Sequence, residues 1–257
     1  MTVENEHFVA EALRVVEEAD GQGIRLRILG SLAYRLHCPE NIELFAKMER
    51  GLTDIDFAAE RKQAREIRAL ISSKGYVEDA KLTMATEGGR YYFEHPETGL
   101  GIDVFMDELY FCHPIPFKQR LHLDKPTIPL ADLVLEKMQI VEINLKDVKD
   151  TLVLLLEHDV GGGEHGKETV DGEYIAGLLS NDWGFYYTVT QNLQKVENFI
   201  PEFDVIPKHQ GETISKRIAQ LVEAIESAPK TAKWKLRARI GRRRRWYQEV
   251  NEKGVTF

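Results

Sequence analysis

Two aspartates, Asp54 and Asp56, flank an isoleucine in the short run Thr53-Asp54-Ile55-Asp56-Phe57. Alternate side chains of a strand share a face, so the two carboxylates point together while Ile55 enters the core. Carboxylates placed side by side repel one another unless a cation lies between them. Magnesium suits that position, because it takes oxygen ligands from one or two carboxylates and shares its other positions with phosphates. Upstream, Ile28-Leu29-Gly30-Ser31-Leu32-Ala33 reads as a strand, a Gly-Ser turn and a helix start. The free N–H groups of a helix start bind phosphate. Phosphates on one side and metal on the other make the layout of a phosphoryl or nucleotidyl transfer site.

A third carboxylate is expected on a neighbouring strand. Asp103, in Gly101-Ile102-Asp103-Val104-Phe105, is the best candidate, since an Asp inside an apolar strand runs against β-propensity and such violations gather at functional sites. The alternative is an edge-strand Asp facing water, with Asp107 as the fallback ligand. Lys137 lies on the apolar face of a helix, where a lysine either snorkels to the surface or meets an anion.

Gly30-Ser31, Asp54-x-Asp56 and the later strand carboxylate resemble the nucleotidyltransferase superfamily with the DNA polymerase β-like fold. Within it the chain is most similar to bacterial AbiEii-type and minor nucleotidyltransferase-like proteins, over a stretch from Gly30 to about Asp150. The resemblance implies two magnesium ions held by Asp54, Asp56 and Asp103. It implies that Gly30 and Ser31 cradle the phosphates of an NTP such as ATP, and that Lys137 steadies them. The activity implied is transfer of a nucleoside monophosphate from NTP to an acceptor hydroxyl, with release of pyrophosphate. A toxin with a cognate antitoxin is one setting the resemblance offers. Lys146-Asp147 and Asp150 resemble a Lys-Asp-x-x-Asp pattern of AbiEii-type chains, although Asp147 also reads as a helix cap. The gap from Ser31 to Asp54 is longer than in the minimal enzymes, so residues 38–52 are expected to add a helix or loop beside the site.

Other motifs carry less. Gly161-Gly162-Gly163-Glu164-His165-Gly166-Lys167-Glu168 nearly matches a Walker A loop, but Glu168 stands where Ser or Thr belongs and the preceding segment reads as helix. The stretch is expected to be a flexible connector. His158 and His165 have no carboxylate or cysteine frame around them in sequence and read as isolated surface histidines. Cys38 and Cys112 fit no metal spacing and read as buried thiols in a reducing cytoplasm.

Residues 233–245 hold eight basic residues and no acidic one: Lys233, Lys235, Arg237, Arg239 and Arg242 to Arg245. Interleaved with Trp234 and followed by Trp246, they suit phosphate contact and base stacking, which makes RNA a candidate acceptor. The alternative is a solvated face balancing an acidic body, for the net charge is −8.

The elements that must position these groups follow from periodicity. The chain of 257 residues allows one large or two small domains, with the division placed at 1–128 and 129–257. The first part is expected to hold helix 6–19, strand 24–29, helix 32–38, strand 53–58, helix 60–74, a poor strand at 76–81 and a hairpin of strands 90–94 and 100–106. Helices are expected after Pro129, at 147–158, 174–179, 183–196 and 212–228, with the best internal break at 161–172. This order fits the α+β (mixed α/β) class, and the resemblance implies that it is a nucleotidyltransferase core with a short mixed sheet flanked by helices, followed by a helical C-terminal part. No apolar run approaches 18 residues, and residues 1–7 are too polar and acidic for a signal peptide, so a cytoplasmic protein off the membrane is expected. Two further readings stand beside the leading one. They are a small-molecule enzyme of aminoglycoside-nucleotidyltransferase type, and a catalytically silent nucleic-acid or partner-binding protein of the same fold.

Overall fold

The computed structural model describes residues 3–163 and 166–250. Helix α1 (Val3–Gly21) buries Phe8, Ala12, Val15, Val16 and Ala19, a stripe at helical spacing, and packs on the first strand. Strand β1 (Leu26–Leu29) leads directly into α2 (Gly30–His37). The insert supplies the expected extra helix, α3 (Ile42–Lys47), and β2 (Ile55–Ala59) follows. A 3-10 turn (Arg61–Gln63) and α4 (Ala64–Ser73) lead to a two-residue strand, β3 (Val77–Glu78). The poor strand expected at 76–81 stops there because Asp79 caps a further helix, α5 (Ala80–Ala85). Its carboxylate accepts the Lys81 and Leu82 N–H groups at 2.9 and 3.1 Å. The expected hairpin is formed by β4 (Arg90–Glu94) and β5 (Gly101–Met106).

These strands make a mixed five-stranded sheet in the order β1-β2-β5-β4-β3, with β2 and β5 parallel and every other pair antiparallel. The register settles which side chains share a face. Leu29, Asp56, Asp103 and Tyr92 stand in one row across four strands. The next row on that face is Arg27, Ala58, Phe105 and Arg90. The opposite face is the apolar one, with Ile28, Phe57, Val104, Ile102 and Phe93 fully buried.

A short ribbon, β6 (Glu108–Tyr110) with β7 (Pro114–Pro116), leads to the helices. The backbone of residues 126–128 runs beside β1: Ile28 N–H donates to the Pro126 carbonyl at 2.9 Å and Ile128 N–H to the Ile28 carbonyl at 3.0 Å. Helix α6 (Leu130–Met138) begins just after the Ile128 contact, and all nine of its residues are buried. Helix α7 (Leu145–Glu157) starts in a capping box made by Asn144 and Asp147, so Asp147 lies in the first turn and Asn144 is the cap. Strands β8 (Asp159–Gly161) and β9 (Thr169–Asp171) pair in parallel around the Gly-rich stretch. What was expected as a connector is thus framed by a ribbon with Val170 fully buried at its centre; Glu164 and His165 lie outside the described residues. Helices α8 (Gly172–Leu179) and α9 (Trp183–Phe199) pack on α6, α10 (Lys208–Ser227) packs on α7, α8 and α9, and α11 (Ala232–Ile240) lies on α9. One hydrophobic core runs from Phe8 to Ile225 through the sheet layer and the helices. Among the described residues no helix is long and apolar enough to cross a membrane.

Candidate active site

Gly30 and Asp56 meet at the mouth of the sheet. The chain leaves β1 and turns into α2 with a φ of +70° at Gly30, a conformation only glycine adopts freely. A methyl group there would stand 2.1 Å from Asp56 Oδ2, so the close approach also demands glycine. Ser31 follows in the first turn of α2 and is buried.

Asp56 and Asp103 are register partners on adjacent parallel strands. Asp54 lies one residue before β2 begins, half-buried, and accepts a hydrogen bond from Thr53 Oγ1 at 2.7 Å. Burial pushes the Asp56 carboxyl well above the usual carboxylate range, and the nearby Asp54, Asp103 and Glu136 push it further. Asp103 is buried in a central strand, which disposes of the water-facing alternative. Burial raises its carboxyl too, against the pull of Arg90. Arg90 grips both Asp103 oxygens, Nε to Oδ1 at 2.8 Å and Nη2 to Oδ2, while its guanidinium lies 5.1 Å from the Phe105 ring centroid. Asp107 does not join the cluster. It sits in a turn at φ +65°, exposed, where its carboxylate accepts the Arg61 N–H at 2.9 Å.

Lys137 is buried and does not snorkel. Its Nζ lies 2.9 Å from Glu136 Oε1 and 3.6 Å from both Asp147 Oδ1 and Asp150 Oδ2. Burial opposes its charge, but the surrounding carboxylates outweigh that and hold its pKa above the ordinary lysine value. Glu136 in turn accepts the Gly30 N–H through Oε2 at 3.0 Å. Behind this pair, Arg50 makes a buried bidentate bond to Asp150, at 2.9 and 2.8 Å. A chain of charges therefore runs from Gly30 through Glu136 and Lys137 to Asp150 and Arg50.

No protein-family model, curated protein or solved structure matches this chain.

The sequence candidates Asp54, Asp56, Asp103, Gly30 and Ser31 converge on the end of β1, β2 and β5, and Lys137 reaches them through Glu136. Sequence reading missed Arg90, Glu136 and Arg50. Glu136 carries a signal in hindsight: acidic residues in a helix as apolar as Leu130-Ala131-Asp132-Leu133-Val134-Leu135-Glu136 must find partners inside. Nothing local marks Arg90 or Arg50.

Two cavities adjoin on the Arg90 side. One, of about 360 Å³, is lined by Arg61, Arg90, Phe105, Tyr110 and Gln248. The other, of about 540 Å³, is lined by Trp183, Lys233, Trp234, Arg237, Arg245 and Trp246, and it shares Tyr110 and Gln248 with the first. The basic tail thus folds back as α11 and a following 3-10 turn (Gly241–Arg243), anchored by Trp246 Nε1 donating to Thr188 Oγ1 at 3.1 Å. Arg237 donates to the carbonyls of Gly241 and Arg244, both at 2.7 Å; Arg242 to Arg245 are all exposed, and of these Arg245 pairs with Glu249 at 2.7 Å.

Proposed function

We propose that the protein is a magnesium-dependent nucleotidyltransferase that moves a nucleoside monophosphate from NTP to an acceptor hydroxyl and releases pyrophosphate. The observation that carries this reading is the placement of Asp56: register partner of Asp103 on adjacent parallel strands, two residues after Asp54, and packed against the glycine that opens α2. Carboxylate oxygens are the donors magnesium takes, although Asp54, Asp56 and Asp103 do not bring three ligand atoms within 4.8 Å of one another, as His37, His158 and Glu168 do. Asp54 and Asp56 would hold it, with Asp103 beside them, and when bound it would supply charge neutralisation for the triphosphate and the developing pyrophosphate.

The chain's own groups do the positioning. Gly30 and Ser31 bring the helix start against the carboxylates, where a phosphate gains from N–H groups and the helix dipole. Lys137 fixes Glu136 and lends positive potential behind the turn. Arg90 orients Asp103, and each Asp103 oxygen retains a further lone pair for a metal or for the acceptor's proton. The two adjoining cavities, walled by Arg90 at one end and by the Trp-rich basic tail at the other, suit an anionic acceptor such as RNA. The same cations repel an aminoglycoside-like acceptor, which is why the small-molecule reading ranks lower.

The catalytically silent reading has one observation in its favour: Arg90 occupies Asp103 and Glu136 occupies the Gly30 N–H. Incubation of the protein with each labelled NTP, magnesium and total RNA separates the two. Transfer of label to RNA, at least a hundredfold weaker in Asp56→Asn, supports the enzyme; a factor of one hundred corresponds to about 2.7 kcal/mol of barrier. No transfer with any NTP, together with no thermal stabilisation by magnesium-NTP, removes it.

A further inference from the structure

His158 is not the isolated surface histidine its sequence context suggests. It is buried at the C-terminal end of α7, and His37 is buried at the C-terminal end of α2. Both rings turn Nδ1 toward Glu168, an exposed side chain just before β9. One atom from each of the three side chains lies within 4.8 Å of the other two.

Three features distinguish this arrangement from an ordinary ion-pair cluster. First, His37 Nδ1 and His158 Nδ1 stand 3.4 and 3.5 Å from the same oxygen, Glu168 Oε2. Charge-assisted hydrogen bonds are shorter, about 2.7–2.9 Å. The separations instead match the edge of a tetrahedron, about 3.3–3.4 Å, whose bonds to a central zinc are about 2.0–2.1 Å. Second, His158 Nε2 lies 2.8 Å from the His37 carbonyl oxygen, which only accepts, so Nε2 carries the ring's proton. In the neutral ring Nδ1 is then bare, yet its neighbours are acceptors too: the Glu168 carbonyl oxygen at 3.1 Å and Oε2. Such a lone pair is satisfied either by a second ring proton or by a metal ion, and the metal also accounts for the 3.4 and 3.5 Å separations from Glu168 Oε2. Third, His37 Nε2 lies 2.6 Å from Thr127 Oγ1 and 3.7 Å from Asp124 Oδ2, an oxygen that is buried without a hydrogen-bond partner. A carboxylate or hydroxyl behind the distal nitrogen is how a metal-binding imidazole is oriented and its basicity raised.

We infer that His37, His158 and Glu168 form a second metal site, for a late first-row divalent ion of which zinc is the best match, with a fourth position left for water. Two imidazoles and one carboxylate suit zinc and not magnesium, which avoids nitrogen ligands. The site is separate from the carboxylate cluster. It lies at the far end of α2 from Gly30, about 10 Å along the helix axis at 1.5 Å per residue. Its mechanical consequence is to tie the strap before β9 to the far ends of α2 and α7, the two helices whose near ends carry Gly30, Ser31, Asp147 and Asp150. This inference does not depend on the nucleotidyl-transfer reading.

The test is calorimetric titration of the chelator-treated full chain with zinc and, separately, with magnesium, on wild type, Glu168→Gln, His158→Gln and Asp56→Asn. Glu168→Gln changes an exposed side chain and keeps the fold, so it stands even if the buried His158→Gln variant does not. One equivalent of zinc should bind wild type and Asp56→Asn alike. Affinity should fall at least tenfold in Glu168→Gln and be lost in His158→Gln, and the cobalt-loaded wild type should show the visible absorption of a tetrahedral site. Absence of zinc binding to wild type overturns the inference. So does binding that survives Glu168→Gln unchanged or disappears in Asp56→Asn, which would assign the zinc to the carboxylate cluster.

Discussion

A methyl group added to Gly30 would stand 2.1 Å from Asp56 Oδ2. The turn that presents helix N–H groups and the carboxylate proposed to bind metal are thus fitted to each other with no room for a side chain. Gly30→Ala should cost about 1–2 kcal/mol from the left-handed backbone alone and displace Asp56 as well. Thermal unfolding should show the lower stability, and the stabilisation given by magnesium-NTP should vanish. An alanine variant that keeps that stabilisation would detach the turn from nucleotide binding.

Asp56 gives a signed pH dependence. Its folded-state carboxyl binds a proton more tightly than the ordinary value of 3.8. The group's contribution to stability is therefore whole below that value and is lost as pH rises through the raised folded value. In metal-free protein at neutral pH, Asp56→Asn should raise the melting temperature while abolishing the further rise produced by magnesium. Denaturation curves of both proteins from pH 4 to 8, with and without magnesium, check the crossing.

His113 acts in the opposite sense. It is buried against Phe185, stacked at 4.9 Å, and bonded to Thr188 Oγ1 at 2.9 Å. Burial lowers its pKa from 6.5 to about 4, only partly offset by Asp182. The unfolded chain takes up a proton below pH 6.5 that the folded chain refuses, so stability is lost as pH falls through that window. The loss approaches about 3 kcal/mol near pH 4, at 1.36 kcal/mol per pKa unit. His113→Gln should flatten that part of the acid limb, measured by urea midpoints at each pH.

Arg50 and Asp150 are both buried and joined by two bonds, at 2.9 and 2.8 Å. Removing Arg50 breaks a buried bidentate pair and leaves Asp150 with only Lys137 Nζ, at 3.6 Å; breaking a buried pair costs about 3–5 kcal/mol. Arg50→Ala should show that loss in urea unfolding.

The exposed arginines of the tail test the acceptor. Replacing Arg242 to Arg244 with Gln should weaken RNA binding and reduce its log–log salt slope by about 0.7 for each single-strand phosphate no longer neutralised. Stabilisation by magnesium-NTP should stay the same. Equal RNA affinities and slopes across a salt series would give the arginines to the fold and move the small-molecule reading forward.

Local chemistry was enough to read much of the frame. The alternation around Asp56 and Asp103, Gly30 opening a helix, the 90–106 hairpin and the long amphipathic helices all depend on neighbours within a few residues, and periodicity exposes such neighbours. Partners were another matter. Gly30 and Glu136 are 106 residues apart in the chain, Arg50 and Asp150 are 100 apart, and His37 and Glu168 are 131 apart. Even Arg90, only 13 residues from Asp103, reaches it because the antiparallel register of β4 and β5 sets them diagonally on one face. Sequence placed Asp103 in an apolar strand and Lys137 on an apolar helix face, with a water-facing Asp and a snorkelling Lys left open; the structure buries both. Which side chains pair with them, and that His37 and His158 turn their rings to one carboxylate, was decided by strand register and helix packing, where burial leaves a charge no alternative to the partner within reach.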